Sequence, residues 1–371
     1  MIDITWSSSI DASGYSSCAR NYIKSLYENP NSSVKMIVNK VARNINAVGI
    51  DKDDILFFSS ISTDSIVGEN VVNHCVPDRM MFGNKKSILY TVVEMPCPDR
   101  WTAICNKCHV VMTASNFCKE IMVDCGIEEK RVHVVPHCLD TNTWNKNVKP
   151  LNVRNLKGFN FLFMGDFTPR KNGDLLIESF IKTFEGNGDV SLTVKGYFNS
   201  FDIQDQKKLI KRIKKAADNI CVPENRRPSI FFYGEPVYEN LMPRFMQSFD
   251  CLVSPHRGEG FGLGPFQMQF LGKPSISTNY SGNLDFMDKE WSYLVDIKGF
   301  EPVCKEMVEI NPNFEGQKWP IVDFDHLCDV MKHVYKNQEE AKKKGETACE
   351  KMKKSFSYKV VSDNIIKTLK G

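Results

Sequence analysis

The sequence predicts an α/β fold of two doubly wound parallel sheets, one in each half of the chain. Three observations carry that expectation. Short apolar runs alternate with helix-period stretches along nearly all of the 371 residues. The runs lack the two-residue alternation of half-exposed strands, as parallel strands covered on both faces do. A polar, proline-containing stretch without clear period, residues 142–157, interrupts the series near its middle. A chain of this length also exceeds one ordinary core and fits two.

In the first half the expected strands are IDITW (2–6), VKMIVN (34–39), DILFFSS (54–60), SILYTVV (87–93) and HVVMTAS (109–115), and VHVVPHCLD (132–140) closes the series. Helical patterns lie between them, such as 18–27 and 116–125, the second capped by Ser115. In the second half the strands are FNFLFMGDF (159–167), VSLTVKGYF (190–198), SIFFYGE (229–235), FDCLVSPH (249–256), KPSISTNY (273–280) and SYLVDI (292–297). Helices are expected near 172–184, 203–217, 238–247, 265–271, 324–336 and 338–353. Repeated βα units imply Rossmann-like domains at 1–145 and 158–345, joined by a linker at 146–157. Residues 346–371 form a helical tail expected to cross back to the first domain.

Composition narrows the class. Hydrophobic content of 42% with 25% charged residues suits a soluble globular protein. No stretch of about 20 residues is continuously apolar, so no transmembrane helix is expected. The first ten residues have no basic segment and no long apolar run, so no signal peptide is read there. The 13 cysteines are odd in number and scattered, which suits a reducing, cytoplasmic setting. A net charge of +3 is too small to announce a nucleic-acid binder. Its most basic run, KKLIKRIKK (207–215), reads as the solvated face of an amphipathic helix with Leu209, Ile210 and Ile213 inward.

The chemistry concentrates in HRGEGFGLGPFQMQFLGKPSISTNYSGNLDF (256–286). A strand ends at Leu252-Val253, and a loop with Gly258, Gly260, Gly262 and Gly264 leads to Pro265, which suits the first turn of a helix. Such a loop exposes backbone N–H groups in a positive field, a setting for a diphosphate. Glu259 is out of place in a site for phosphate alone. A carboxylate there fits a neighbouring sugar, whose hydroxyls it accepts from.

This phrase resembles the signature of the retaining family-four glycosyltransferases, which have the two-domain GT-B fold: a glutamate, seven residues, then a second glutamate. Here Glu259 is followed by GFGLGPF and then Gln267. The resemblance implies that Glu259 contacts donor-sugar hydroxyls, that the amides of Phe261, Gly262, Leu263 and Gly264 bind sugar and distal phosphate oxygens, and that position 267 holds the ribose diol. Gln267 departs from the pattern. An amide accepts at one end and donates at the other, whereas a carboxylate accepts from both hydroxyls. TNYSGNLDFM (278–287) is similar to the segment that follows in a subset of these enzymes.

A second match is FLFMGDFTPRKNGDLLIESF (161–180), in which Lys171 takes the place of the family lysine that neutralises the departing diphosphate. Asp166 stands where the family commonly has an arginine, and Arg170 is the candidate replacement. In the first half, Gly14 matches a glycine loop that approaches the donor phosphates. Glu94, in YTVVEMPCPDRW (90–101), takes the place of an acceptor-side polar residue near the anomeric carbon. Gly234 and Glu235 follow a strand whose loop borders the nucleobase in the family. His137 and Asp140 fall in a stretch with a structural role.

The resemblance thus implies a metal-independent, retaining hexosyl- or pentosyltransferase using a nucleoside-diphosphate sugar as donor substrate, with no further cofactor. Its acceptor is a glycan, a lipid-linked sugar or a modified DNA base. The alternatives are a non-catalytic nucleotide-sugar-binding subunit of the same fold, suggested by Gln267 and Asp166, and a sugar-nucleotide epimerase, against which the EGFGL phrase argues. Cys105-Asn-Lys-Cys108-His109 has the spacing of a haem attachment motif, but no export signal accompanies it. Neither a GxxxxGK[ST] phosphate loop nor a GxSxG elbow occurs.

Overall fold

A computed structural model describes residues 1–11, 13–38, 49–156, 158–197 and 202–371. The expected strand ends at 39 and 198 and the end of the expected linker at 157 lie outside the described residues. The chain divides into two compact units. The first comprises Met1–Thr143, Val237–Leu241 and Lys353–Gly371, and the second comprises Trp144–Pro236 and Met242–Met352.

The first unit is built on a six-stranded sheet in the order β2-β1-β3-β4-β5-β6, every pair parallel. Its strands are β1 (Ile2–Ser8), β2 (Ser32–Val38), β3 (Asn70–His74), β4 (Lys86–Tyr90), β5 (Val110–Thr113) and β6 (Val132–Val134). Helix α1 (Gly14–Glu28) follows β1, opened by Ser13, whose hydroxyl accepts from the Ser16 N–H. The last helix, α12 (Tyr358–Lys370), packs along α1. Asn29 Nδ2 donates to Ser362 Oγ at 2.8 Å, and Tyr358 donates to Asn21 Oδ1 at 2.6 Å.

DILFFSS, read as a strand, is instead part of helix α2 (Lys52–Ile61). Asp51 caps it by accepting from the Asp54 N–H, Asp53 and Asp54 sit at its positive end, and Phe58 and Ile61 share a buried face three residues apart. The strand in that place is β3, NVVNH, whose two apolar residues are too few to announce it. Elsewhere the alternation holds. Helix α4 (Asn116–Asp124) carries the Ser115 cap, with Ser115 Oγ accepting from the Cys118 N–H at 3.1 Å.

The second unit repeats the architecture with the order β12-β11-β10-β7-β8-β9, again parallel throughout. Here β7 is Phe159–Asp166, β8 Val190–Tyr197, β9 Ser229–Tyr233, β10 Cys251–Ser254, β11 Ser275–Thr278 and β12 Tyr293–Val295. Its core is aromatic: Phe161, Phe163, Phe180 and Phe184 cluster with Leu176 and Leu192. Residues just after Trp144 lie on this unit, where the Leu151 N–H donates to Arg244 O at 3.0 Å. An antiparallel hairpin, β13 (Ile297–Pro302) and β14 (Lys318–Val322), was not anticipated. Pro320 disguises β14, because proline cannot donate to a ladder and signals a loop.

Helix α6 (Ile203–Asp218) buries Leu209 and Ile213, one turn apart. Ile210, expected on the same stripe, is exposed, as a residue about 100° around the helix from Leu209 must be. Cys105 and Cys108 are packed in an apolar cluster with Leu89 and Val111, so their spacing reflects core packing. No helix among the described residues is long and apolar enough to cross a membrane.

Candidate functional site

In doubly wound sheets, ligands bind at the carboxyl ends of the strands where the strand order reverses. In the second sheet that point lies between β7 and β10, because the chain leaves β7 toward β8 and leaves β10 toward β11. The loops after these two strands carry the two sequence phrases singled out above.

Gly165, the last but one residue of β7, has a φ of +146° that only glycine adopts readily. A Cβ there would stand 3.5 Å from Lys171 Cε, so the lysine stem runs across the glycine. Asp166 accepts from Thr168 Oγ1 at 2.9 Å and thus orders the loop after β7. Helix α5 (Gly173–Thr183) then starts at Asn172, whose amide donates to Pro255 O at 3.0 Å and ties this loop to the one after β10. Arg257 N–H donates to Arg170 O at 2.7 Å, and Arg170 Nη1 donates to Gly258 O at 2.7 Å.

These ties bring Lys171, Arg170 and Glu259 together. Glu259 Oε1 is bonded to Lys171 Nζ, and Oε2 lies 3.5 Å from Arg170 Nη1. The carboxylate is buried. Burial alone raises its pKa, but Lys171, then Arg170 and His256, outweigh burial and hold it at about 2. It is therefore an anion in a site with two cations beside it. The backbone of Glu259 is equally fixed: its N–H donates to Ser281 Oγ at 3.0 Å, and its carbonyl accepts from Gly282 N–H at 3.0 Å.

Helix α8 (Leu263–Phe270) begins two residues before Pro265. Gly262, at φ +96°, turns the chain into the helix there, and proline is tolerated at the third position because its missing N–H has no intrahelical role in the first turn. Phe261 is buried, its ring 4.9 Å from those of Phe266 and Phe286. Gly262 is buried, while Leu263 and Gly264 are partly exposed in the first turn. Gln267 is buried on α8. Gly234 and Glu235 follow β9, two strands from β7. Gly234 is buried and accepts from Gln206 Nε2 at 3.4 Å, whereas the Glu235 side chain is exposed.

Three features of the site were missed from sequence. His256 is fully buried beside Glu259, and burial pulls its ring down to about 4, so it is neutral at pH 7. Lys195 on β8 is buried, pulled down to about 8 by that burial, and donates to Glu235 O at 3.3 Å. The β13–β14 hairpin holds Arg257 through Glu301 at 2.8 Å and through the Trp319 ring at 4.6 Å. A lysine inside an apolar strand run gave the one usable signal. The others depend on packing between distant segments.

Gly14 and Glu94 belong to the first unit. Gly14 is the exposed first residue of α1, and Glu94 is half-buried in the loop after β4. His137 is buried, with Nδ1 2.7 Å from the Tyr22 hydroxyl, and Asp140 caps a turn by accepting from Thr143 Oγ1 at 2.7 Å.

Residues 146–298 match the family described as glycosyl transferases group 1. An uncharacterized glycosyltransferase of Methanocaldococcus jannaschii, MJ1178, is 29% identical over 151 residues, which cover 39% of this chain and 37% of that protein. The chain thus spans little more than a third of the curated relative it matches. Among solved structures, HepE of Anabaena in complex with UDP and glucose superposes with a TM-score of 0.69 at 11% identity, covering 100% of both chains. Sucrose-phosphate synthase of Thermosynechococcus elongatus gives 0.69 at 12% identity, over 100% of this chain and 98% of that one. At such identities the likeness is one of fold. Part of the second unit is thus similar to the glycosyl transferases group 1 family, in a chain with the two-domain GT-B fold.

Proposed function

We propose that this protein is a retaining glycosyltransferase that moves a hexosyl or pentosyl group from a nucleoside diphosphate to an acceptor hydroxyl. The observation that carries the reading is the buried carboxylate of Glu259 held against Lys171 and Arg170 beside the start of α8. A sugar diphosphate asks for that combination: a carboxylate to accept from sugar hydroxyls, cations and backbone N–H groups to take the phosphate charge.

In this reading the diphosphate takes over Lys171 and Arg170, and Glu259 turns from its cations to sugar hydroxyls. The C1–O bond to the diphosphate breaks as the acceptor oxygen bonds to C1 on the same face, and the acceptor proton passes to the departing phosphate oxygen. The charge that develops on the diphosphate is stabilised by Lys171, Arg170 and the positive end of α8, without a metal ion. Phe261, Gly262, Leu263 and Gly264 supply amides to sugar and distal phosphate. Gln267 holds the ribose diol, and Gly234 and Glu235 border the base. Gly14 approaches the phosphates, and Glu94 stands on the acceptor side. The uridine nucleotide bound by HepE makes UDP-glucose the first donor to try. The thirteen free cysteines favour a cytoplasmic location.

A second reading, a non-catalytic nucleotide-sugar-binding subunit, rests on Gln267 and Asp166, which replace the family's usual carboxylate and arginine. Incubation with a panel of nucleotide sugars, following release of nucleoside diphosphate, decides between them. Release that Lys171→Ala abolishes supports the transferase. Nucleotide binding without release from any donor or acceptor supports the subunit.

A further inference from the structure

Helix α6 packs one face into the second unit and turns the other to solvent. Leu209, Ile213 and Ala216 are buried in the core with Leu192 and Val194 of β8. The exposed positions carry five lysines, Lys207, Lys208, Lys211, Lys214 and Lys215, and one carboxylate, Asp218. Lys208 meets the buried Asp205 at 3.2 Å, and Asp218 meets Arg227 at 2.9 Å. Among the described residues, no carboxylate pairs with the other four lysines. Arg212, on the flank, is already held by Asp174 at 2.7 Å and by Glu306.

A solvated helix face does not need charge of one sign. The exposed positions of α11 (Gln338–Phe356) mix four lysines with Glu339, Glu340 and Glu350. On α6 the lysines stand three and four residues apart, where like charges are neighbours and weaken a helix. The face thus works against its own helix unless something anionic lies over it.

The chemistry of the face names that partner. At about 100° per residue, Ile203 and Ile210 fall on one line along α6, with Lys207 and Lys214 next to it and Lys211 and Lys215 beyond. The two isoleucines are 66% and 38% exposed. No arginine and no aromatic ring stands at the exposed positions of α6, so the face lacks the groups that read base edges or stack on bases. A nucleic-acid backbone would also leave the isoleucines in water. An anionic bilayer suits both kinds of residue, because lysines meet its headgroup phosphates while apolar side chains enter the layer beneath.

We propose that the outward face of α6 docks the chain on an anionic lipid surface. Lys207, Lys211, Lys214 and Lys215 meet the phosphates, and Ile203 and Ile210 enter the boundary between headgroups and acyl chains. The apolar side of α6 stays in the core, so the contact is peripheral and reversible. It stands apart from the transferase reading, because none of these residues belongs to the donor site.

Co-sedimentation of the full chain with vesicles tests it. Binding is expected to vesicles of phosphatidylcholine and phosphatidylglycerol in equal parts, with none to phosphatidylcholine alone, and added salt releases it. Lys207→Gln, Lys211→Gln, Lys214→Gln and Lys215→Gln each weaken partitioning about fivefold. The four together abolish it, with circular dichroism unchanged. Ile203→Ser, which keeps every charge, also weakens it several-fold, the mark of an apolar anchor. As a control, Lys342→Gln, Lys343→Gln, Lys351→Gln and Lys354→Gln combined remove the same charge from α11 and leave binding intact. Equal loss from the α6 and α11 sets reduces the effect to net charge and overturns the inference, as does absence of binding to the anionic vesicles. Tighter binding to double-stranded DNA at the same phosphate concentration, unmoved by Ile203→Ser, assigns the face to nucleic acid and overturns it too.

Discussion

At the switch point of the second sheet a carboxylate is buried between a lysine and an arginine. At that of the first, between β1 and β3, the uncharged His74 lies among Trp6, Tyr15, Tyr22 and Tyr90. Topology puts both at the carboxyl edge of a parallel sheet, and both hold a buried histidine. The residues between strand and helix make the difference. Arg170, Lys171 and Arg257 bring cations to one edge, while the loops after β1 and β4 bring the carboxylates Asp11 and Glu94 to the other. One architecture therefore presents two edges of different polarity.

Removing Glu259 breaks the contrast most severely. Glu259→Ala leaves Lys171 and Arg170 partly buried against each other, and loss of one partner of a buried ion pair costs about 3–5 kcal/mol. Denaturant titration reads this as a lowered midpoint at unchanged slope. An unchanged midpoint would mean that the three groups are solvated and uncoupled. Lys171→Ala comes next. In the proposed reaction it removes the cation beside the leaving group, so turnover falls about 10²- to 10³-fold, the usual loss for one stabilising donor. Steady-state kinetics with saturating donor measures it.

Acid should weaken both edges at once. His256 and His137 have folded-state pKa values of about 4 and about 3, below the 6.5 of the unfolded chain. Lowered values mean that the unfolded chain binds more protons in this window. The stability they confer is complete above pH 6.5 and is lost as pH falls through it toward 4, by about 3 kcal/mol for each. Glu259, held at about 2, stays charged there and adds its own loss only below about 4.5. Unfolding free energies at pH 7 and pH 5 check this, and equal values contradict it. The smallest effect expected is that of Gln267→Glu. Restoring a carboxylate where the proposed function sets the ribose diol changes nucleotide affinity by about 1 kcal/mol, read by calorimetric titration, with turnover nearly unchanged in the nucleotide-release assay.

Much of this was legible in the residues. Continuous apolar runs gave eleven of the strands because parallel strands hide both faces. DILFFSS failed because a run of that length fits a buried strand or a helix face equally well, and the Asp51 cap decided for the helix. NVVNH was hidden by its own polar residues, one of which is His74. The Glu259 loop was legible because its chemistry is contiguous, from strand to glycine turn to helix. Its braces, Ser281 and the amide of Asn172, act across 22 and 83 residues, a separation that periodicity does not reach. The first switch point was illegible for the same reason. Ser8, His74 and Tyr90 become neighbours only when the register of three strands is known.

The central claim is that the cationic edge of the second sheet holds the diphosphate of a nucleotide sugar. Calorimetric titration of nucleoside diphosphates, UDP first, into the wild-type chain and into Lys171→Ala tests it most directly. Saturable one-to-one binding to the wild type, weakened about tenfold or more by the substitution and by added salt, is the predicted result. Equal affinity for both proteins, or no binding of any nucleoside diphosphate to the wild type, would contradict it.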